Sequence, residues 1–387
     1  MTHDAKFQYQ QFQQYFCQVA HGLEELAAEE LISLGADDVQ VQFRGVRFTG
    51  SHAVLYRVNY CSRLVSRVLA PLMTFGCHSD KVLYRKAGEI DWSTFIGNDN
   101  TFAVYANVSD SKVDHSKYAA LRLKDAIVDQ FRDRTGKRPS IDPKNPDVWI
   151  SLNIRRNQAV ISLDTSGGPL HKRGYRVGSY DAPLQETLAA AMIRFTGWEG
   201  ECPLVDPMCG SGTILAEALM VAARVPAGFR RKNWGFQHLP DFEAETWRVE
   251  KQAADGRVRE VPDGLISGSD INPRAVSAAI SNLGRIPGGD GVRIRRVDFR
   301  ETRGFPDSML ITNPPYGVRL GEQQEAATLI RDLGDFLKQR CGGTTAWILC
   351  GSTELTKHVG LRSSRRITLH NGPLETRLIR IDIYPPR

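Results

Sequence analysis

Asp206-Pro207-Met208-Cys209-Gly210-Ser211-Gly212-Thr213 follows a short apolar run, Pro203-Leu204-Val205, and opens an apolar segment, Ile214–Ala223. That order predicts a buried strand, a glycine turn and a helix. Downstream, further apolar runs alternate with helical patterns: Leu265-Ile266-Ser267-Gly268, Val292-Arg293-Ile294, Ser308-Met309-Leu310-Ile311 and Thr345–Leu349. Strand and helix in repetition predict an α/β fold with a mainly parallel, doubly wound sheet. Gly210 and Gly212 let backbone amides approach a ligand at a helix N-terminus.

The turn is not a dinucleotide fingerprint, because Leu215 stands where a third glycine belongs and Asp206 would repel a pyrophosphate. It is not a phosphate-cradling P-loop either, since no Lys-Ser/Thr follows the glycines. An acid beside a glycine turn suits a ligand with a cationic centre and an amino-acid tail, and S-adenosylmethionine has both. Two later acids extend this reading. Asp270, in Gly268-Ser269-Asp270, ends the second strand and can accept from both ribose hydroxyls. Asp298, in Val297-Asp298-Phe299, can accept from an adenine amine while Phe299 packs on the ring. The interval from Gly212 to Asp270 exceeds the usual gap of about 20 residues. An insertion over roughly 229–263, carrying Trp234, Phe236 and Trp247, accounts for the excess.

The fourth strand runs into Asn313-Pro314-Pro315-Tyr316-Gly317. Two prolines stiffen the loop and remove two donors, leaving carbonyl acceptors. A planar exocyclic amine is a poor nucleophile because its lone pair is delocalised. Acceptance of its hydrogens by the Asn313 side chain and the Pro314 carbonyl would turn that lone pair outward. Tyr316 could stack on the attached base.

The chain has 387 residues, which predicts two or three domains. Charged residues make up 24% and hydrophobic ones 41%, as in a globular protein. No run of about 18 apolar residues predicts a membrane span, and residues 1–14 lack the apolar core of a signal peptide; a cytoplasmic place is expected. The seven cysteines are dispersed without CxxC pairs, so neither a metal site nor a disulfide is expected. A net charge of +6 favours polyanionic partners, and basic residues bunch in 224–232, 285–303 and 362–366.

The first half alternates short α and β patterns. Helices are expected over 23–34, 51–70 and 116–132, the last with Tyr118, Leu121, Ile127, Val128 and Phe131 on one face. Strands are expected over 39–43, 46–48, 102–108, 148–154 and 158–163, with a hairpin turn at Asn157. Residues 164–183 are polar and glycine-rich and read as a linker.

The NPPYG loop, the DPMCGSGT turn, residues 182–191 (APLQETLAAA), Leu170–Arg176 and Asn371-Gly372-Pro373-Leu374-Glu375 together resemble the THUMP-domain guanine-N2 RNA methyltransferases. Within that family the likeness is nearest to the bacterial RlmL type, which acts on 23S rRNA. The resemblance implies a ferredoxin-like domain over 1–75, an RNA-gripping THUMP domain over 76–165 and a linker over 166–182. It implies a Rossmann-like class I methyltransferase domain over 183–387. Cofactor contacts would fall on Asp206, Gly210, Gly212, Thr213, Asp270, Asp298, Phe299 and Thr187, and amine recognition on Asn313, Pro314, Pro315 and Tyr316. The same chemistry on a tRNA guanine, adenine-N6 methylation of DNA, and an RNA-binding assembly factor are the competing readings.

Overall fold

The computed structural model describes residues 6–97, 99–177, 184–316 and 322–385. Chain contacts divide it into two compact units. One comprises Met1–Val19, Glu24–Leu170 and Arg231–Ala253; the other comprises Ala20–Leu23, His171–Arg230 and Ala254–Arg387.

In the first unit the elements run α1 (Gln8–Phe12), β1 (Gln14–Val19), α2 (Glu24–Ser33), β2 (Asp37–Gln42), β3 (Gly45–Thr49), α3 (His52–Cys61) and β4 (Val65–Gly76). They continue with α4 (Asp80–Gly88), β5 (Thr101–Ser109), α5 (Ser116–Thr135), β6 (Ser140–Ile141), β7 (Val148–Arg155) and β8 (Gln158–Asp164). One sheet holds all eight strands in the order β2-β3-β1-β4-β8-β7-β5-β6. The β7–β8 turn sits at Arg156 and Asn157, with φ of +48° and +60°, the left-handed pair that a two-residue hairpin needs.

Two expectations are corrected here. The helix expected over 51–70 stops at Cys61, and Val65 onward is strand. Glu30, buried on α2, accepts Ser62 Oγ at 2.6 Å, the Arg63 amide at 2.9 Å and the Leu64 amide at 3.2 Å. Those donors are thereby withdrawn from a continuing helix. Pro71 then lies inside β4, where the β1 ladder has ended at Leu69 and the β8 register shifts between Pro71 and Met73. A residue without an amide is tolerated at such an irregularity. On α5, Ile127, Val128 and Phe131 are buried, but Tyr118 and Leu121 are 49% and 52% exposed. Ala119, Leu123 and Ala126 complete the buried stripe instead.

The segment expected as a linker is not a free tether in its described part. Thr165 and Ser166 are buried in the first unit, and Arg173 and Tyr175 in the second; residues 178–183 lie outside the described residues. The expected insertion also has a definite place. Its aromatics pack with α3: Tyr56 lies 4.6 Å from Phe236, and Trp247 lies 5.1 Å from Phe236 and 5.4 Å from Tyr60.

The second unit contains α6 (Glu186–Thr196), β9 (Leu204–Asp206) and α7 (Thr213–Ala222); after α8 (Ala244–Asp255), which lies up to Ala253 in the first unit, it continues with β10 (Ile266–Asp270), α9 (Pro273–Leu283), β11 (Arg293–Arg296) and β12 (Met309–Thr312). It ends with α10 (Glu322–Arg340), β13 (Thr345–Cys350), α11 (Thr353–His358), β14 (Arg365–Asn371) and β15 (Leu374–Asp382). The sheet order is β11-β10-β9-β12-β13-β15-β14, parallel from β11 to β13, with β15 antiparallel to both neighbours. The strand order reverses between β9 and β12, and in open α/β sheets ligands bind at the carboxyl ends beside that point. All seven cysteines are free thiols. No described helix is long and apolar enough to cross a membrane.

Glu30→Ala would leave two buried donors and one half-buried donor unsatisfied. An unfolding free energy lower by about 3 kcal/mol is expected, read from urea denaturation; an unchanged midpoint would mean that water or another acceptor replaces the carboxylate.

Candidate active site

A cavity of about 780 Å³ opens at the carboxyl ends of β9, β10 and β12. Its first wall is the glycine turn. Gly210 and Gly212 have φ of +52° and +80°, a region that favours glycine. A Cβ on Gly212 would also meet Ala279 Cβ at 3.1 Å, whereas one on Gly210 would meet open space. The Cys209 amide donates to the Ser269 carbonyl at 2.9 Å and the Gly212 amide to the Cys209 carbonyl at 2.8 Å. These bonds seat the turn on the end of β10.

Asp206 is almost wholly buried at the end of β9. Its Oδ1 accepts the Thr312 hydroxyl at 2.7 Å and the Met208 amide at 3.2 Å. Burial pushes its carboxyl up to about 7, with the nearby Asp270 charge adding to the rise and the two hydrogen bonds opposing it. Asp270, expected to accept from ribose hydroxyls, also ties the site together. Its Oδ2 accepts the Gly210 amide at 2.9 Å and its Oδ1 the Asn272 amide at 2.8 Å. Each oxygen keeps a second lone pair.

Asp298 lines the cavity, but Arg300 takes up both its oxygens, with Nε at 3.0 and 3.1 Å and Nη2 at 2.6 Å. These bonds hold its carboxyl below the usual range. Phe299 borders the same cavity and is 2% exposed, its ring edge-on to Phe336 at 5.3 Å. Most of that ring is spent on the core. Thr213 lines the cavity at the start of α7. Thr187 is buried on α6, whereas the preceding Leu184 and Gln185 reach the wall.

The opposite wall is the loop after β12. Asn313, Pro314, Pro315 and Tyr316 all line the cavity, Pro314 buried and Pro315 exposed; Gly317 lies outside the described residues. The Tyr316 hydroxyl donates to Asn313 Oδ1. Burial raises the Tyr316 hydroxyl above its ordinary range and keeps it a donor. The tyrosine ring lies on Gly351, where a Cβ would stand 2.6 Å from both Tyr316 Cβ and Cγ. From the β14–β15 turn, Asn371, Gly372 and Leu374 complete the wall.

Four supports escaped the reading of the sequence. Arg176 donates to Ser211 Oγ and Thr213 Oγ1, each at 3.1 Å, and to Glu186 Oε1 at 3.0 and 3.1 Å. It thereby joins the glycine turn to the start of α6. Asn282 on α9 donates to the Ser211 carbonyl at 2.9 Å and accepts the Val177 amide at 2.9 Å. Thr312 and Gly351 are the third and fourth. Only Arg176 had a local signal, as a cation inside a conspicuous motif; the others depend on contacts far along the chain.

Comparison with known proteins agrees with this architecture. The RMKL-like methyltransferase domain profile matches residues 173–380, the THUMP domain profile 77–164 and the RlmL ferredoxin-like domain profile 14–69. The chain belongs to the RMKL-like methyltransferase family. Slr0064 of Synechocystis sp. is 39% identical over 371 residues, covering 96% of this chain and 97% of that protein. The ribosomal RNA large subunit methyltransferase K/L of Syntrophotalea carbinolica is 40% identical over 387 residues, covering 96% of this chain and 54% of that protein. This RMKL-like chain thus spans about half the length of its K/L relatives. The solved structure of SMU.472 complexed with SAH superposes with a TM-score of 0.84 at 27% identity, covering 97% of this chain and 98% of that one.

Two outcomes are expected at this site. Gly351→Ala forces Tyr316 off its seat and should cut methyl transfer at least tenfold, while ligand binding at the glycine turn persists; equal loss of both would mean general unfolding. The Asp206 carboxyl holds its proton to about pH 7 when folded but only to about 3.8 when free. The folded state therefore binds more protons between these values, and this group makes stability fall as pH rises from 4 to 7. Asp206→Asn should flatten that part of a melting-temperature profile, and an unchanged slope would assign it to another group.

Proposed function

We propose that the chain transfers a methyl group from S-adenosylmethionine to the exocyclic N2 amine of a guanine in 23S rRNA. The observation that carries this reading is the position of Asn313 Oδ1, held by the Tyr316 hydroxyl on the wall facing the glycine turn.

The residues present fit the cofactor. Asp206 is an acid driven up to about 7 by burial, a penalty that a cationic ligand group relieves. Gly210 leaves room beside the cavity, and Asp270 retains acceptor capacity for ribose hydroxyls. Asp206, Gly210, Gly212, Thr213 and Asp270 would hold S-adenosylmethionine, with Asp298 and Phe299 at the adenine end. When bound, it supplies an electrophilic methyl group. Asn313 Oδ1 has one lone pair committed to Tyr316 and one available to an amine hydrogen. With the Pro314 carbonyl as second acceptor, the amine is held with its lone pair outward. No strong base is required before attack; positioning supplies the rate. Residues 1–75 and 76–165 act as the ferredoxin-like and THUMP parts that hold the RNA, and the reaction is cytoplasmic.

The choice of ribosomal RNA is supported by the K/L relatives, named for the large ribosomal subunit RNA; the choice of guanine rests on the likeness of the NPPYG loop and the DPMCGSGT turn to the guanine-N2 enzymes. Labelled S-adenosylmethionine incubated with total RNA from cells lacking the gene should deposit label as N2-methylguanosine in the large ribosomal RNA. Label in tRNA would keep the chemistry and move the substrate. Absence from every RNA would overturn the reading. Asn313→Ala should abolish turnover while cofactor affinity stays within about fivefold, the equivalent of about 1 kcal/mol or one neutral hydrogen bond.

A further inference from the structure

The β14–β15 turn brings Asn371, Gly372 and Leu374 to the cavity wall. Asn371 and Leu374 form the last pair of that ladder. Between them Gly372 has a φ of +62°, and Pro373 cannot follow it into positive φ. A two-residue loop under those constraints is the tight II′ hairpin, which fixes the residues on either side of it. β15 pairs with the end of β13 at Cys350–Arg377 and continues from there to the turn at Leu374. The turn therefore overhangs the carboxyl end of the sheet by roughly 10 Å at the rise of a strand. Tyr316, seated on Gly351, lies at that same end.

The Tyr316 hydroxyl donates to Asn313 Oδ1, and the Asn371 amide stands next to the same hydroxyl as a donor, opposing the effect of burial on it. Asn371 is half-buried, and nothing else among the described residues engages its side chain. With its nitrogen turned to Tyr316, the amide keeps its oxygen for the occupant of the cavity. What stands beside an exocyclic amine differs between bases. On adenine and cytosine the amine sits next to a bare ring nitrogen, an acceptor. The N2 amine of guanine sits next to N1–H, a donor. An oxygen beside the seated amine pairs with N1–H, but against a bare nitrogen it sets two acceptors face to face. Turning the amide over to offer nitrogen instead would give up Tyr316.

We propose that Asn371 selects the base, its Oδ1 accepting N1–H of guanine while Asn313 and the Pro314 carbonyl hold the adjacent amine. The inference rests on the reading of the reaction as methylation of a guanine amine. Its test uses the full chain and the RNA that takes label from total RNA, rebuilt by splinted ligation with guanine or 2-aminopurine at the methylated position. 2-Aminopurine keeps the amine but lacks N1–H and O6. The wild-type chain should prefer the guanine form in kcat/KM by about tenfold or more, the scale of a buried polar group left without its partner. Asn371→Ala should be slower on guanine and lose most of that preference, while its affinity for S-adenosylhomocysteine by calorimetry is unchanged. Asn371→Asp keeps the oxygen acceptor and should keep the preference, whatever its overall rate. An undiminished preference in Asn371→Ala would overturn the assignment. So would its equal loss in Asn371→Asp, since the oxygen would then not be what reads the base. A wild-type chain that methylates both forms equally would overturn it too, while leaving guanine-N2 chemistry standing. Label on an adenine amine, or on no RNA, would overturn that chemistry and the assignment together.

Discussion

The Thr312 hydroxyl donates to the Asp206 carboxylate across 2.7 Å, joining the last residues of β12 and β9. One strand delivers the glycine turn and the other the Asn-Pro-Pro-Tyr loop. The bond lies where the strand order reverses, so it fixes the distance between the glycine turn and the Asn-Pro-Pro-Tyr loop at the point where neither is yet loop. Its acceptor is buried, and burial raises the carboxyl to about 7. A buried acid at this position is expensive, and the site gains from it a group whose charge state answers to what binds beside it.

Around that bond the site is braced more than lined. Asp270 holds the Gly210 amide, Asn282 the Ser211 carbonyl and Arg176 the hydroxyls of Ser211 and Thr213. The glycine turn thus has side-chain supports from β10, from α9 and from the segment before α6. Flexible residues are needed there because Gly210 and Gly212 have positive φ, and the supports remove the freedom that glycine brings. On the other wall, Gly351 serves the opposite purpose, with its missing side chain making the seat for Tyr316.

The chain does not complete one unit before starting the next. Residues 231–253 leave the methyltransferase unit after Arg230 and fold with the first unit, with Trp234, Phe236 and Trp247 gathered against Tyr56 and Tyr60. Read along the chain, this segment is only an interruption between the glycine turn and Asp270. Arg231 shows how the same blindness affects charge. It belongs to a basic cluster in sequence, yet its guanidinium donates to the carbonyls of Ser166, Gly167 and Pro169. A charge count along the chain does not separate such a structural cation from an exposed one such as Arg155.

The parallel strands, the glycine turn and the Asn-Pro-Pro-Tyr loop were legible in the sequence because each is a local pattern. Apolar runs, positive-φ glycines and consecutive prolines carry their own physical constraints over a few residues. The break at Ser62 was not, since it depends on a carboxylate from Glu30, and the short apolar run Val68-Leu69-Ala70 suits either period until a partner is present. Nor were the β14–β15 hairpin, the seat on Gly351 or the withdrawal of Phe299 and Asp298 into contacts with Phe336 and Arg300. Residue type and order determined which groups could perform the chemistry. Tertiary structure decided how much of each group is left to perform it, because hydrogen-bonding capacity and ring surface are finite and neighbours distant in sequence claim them first.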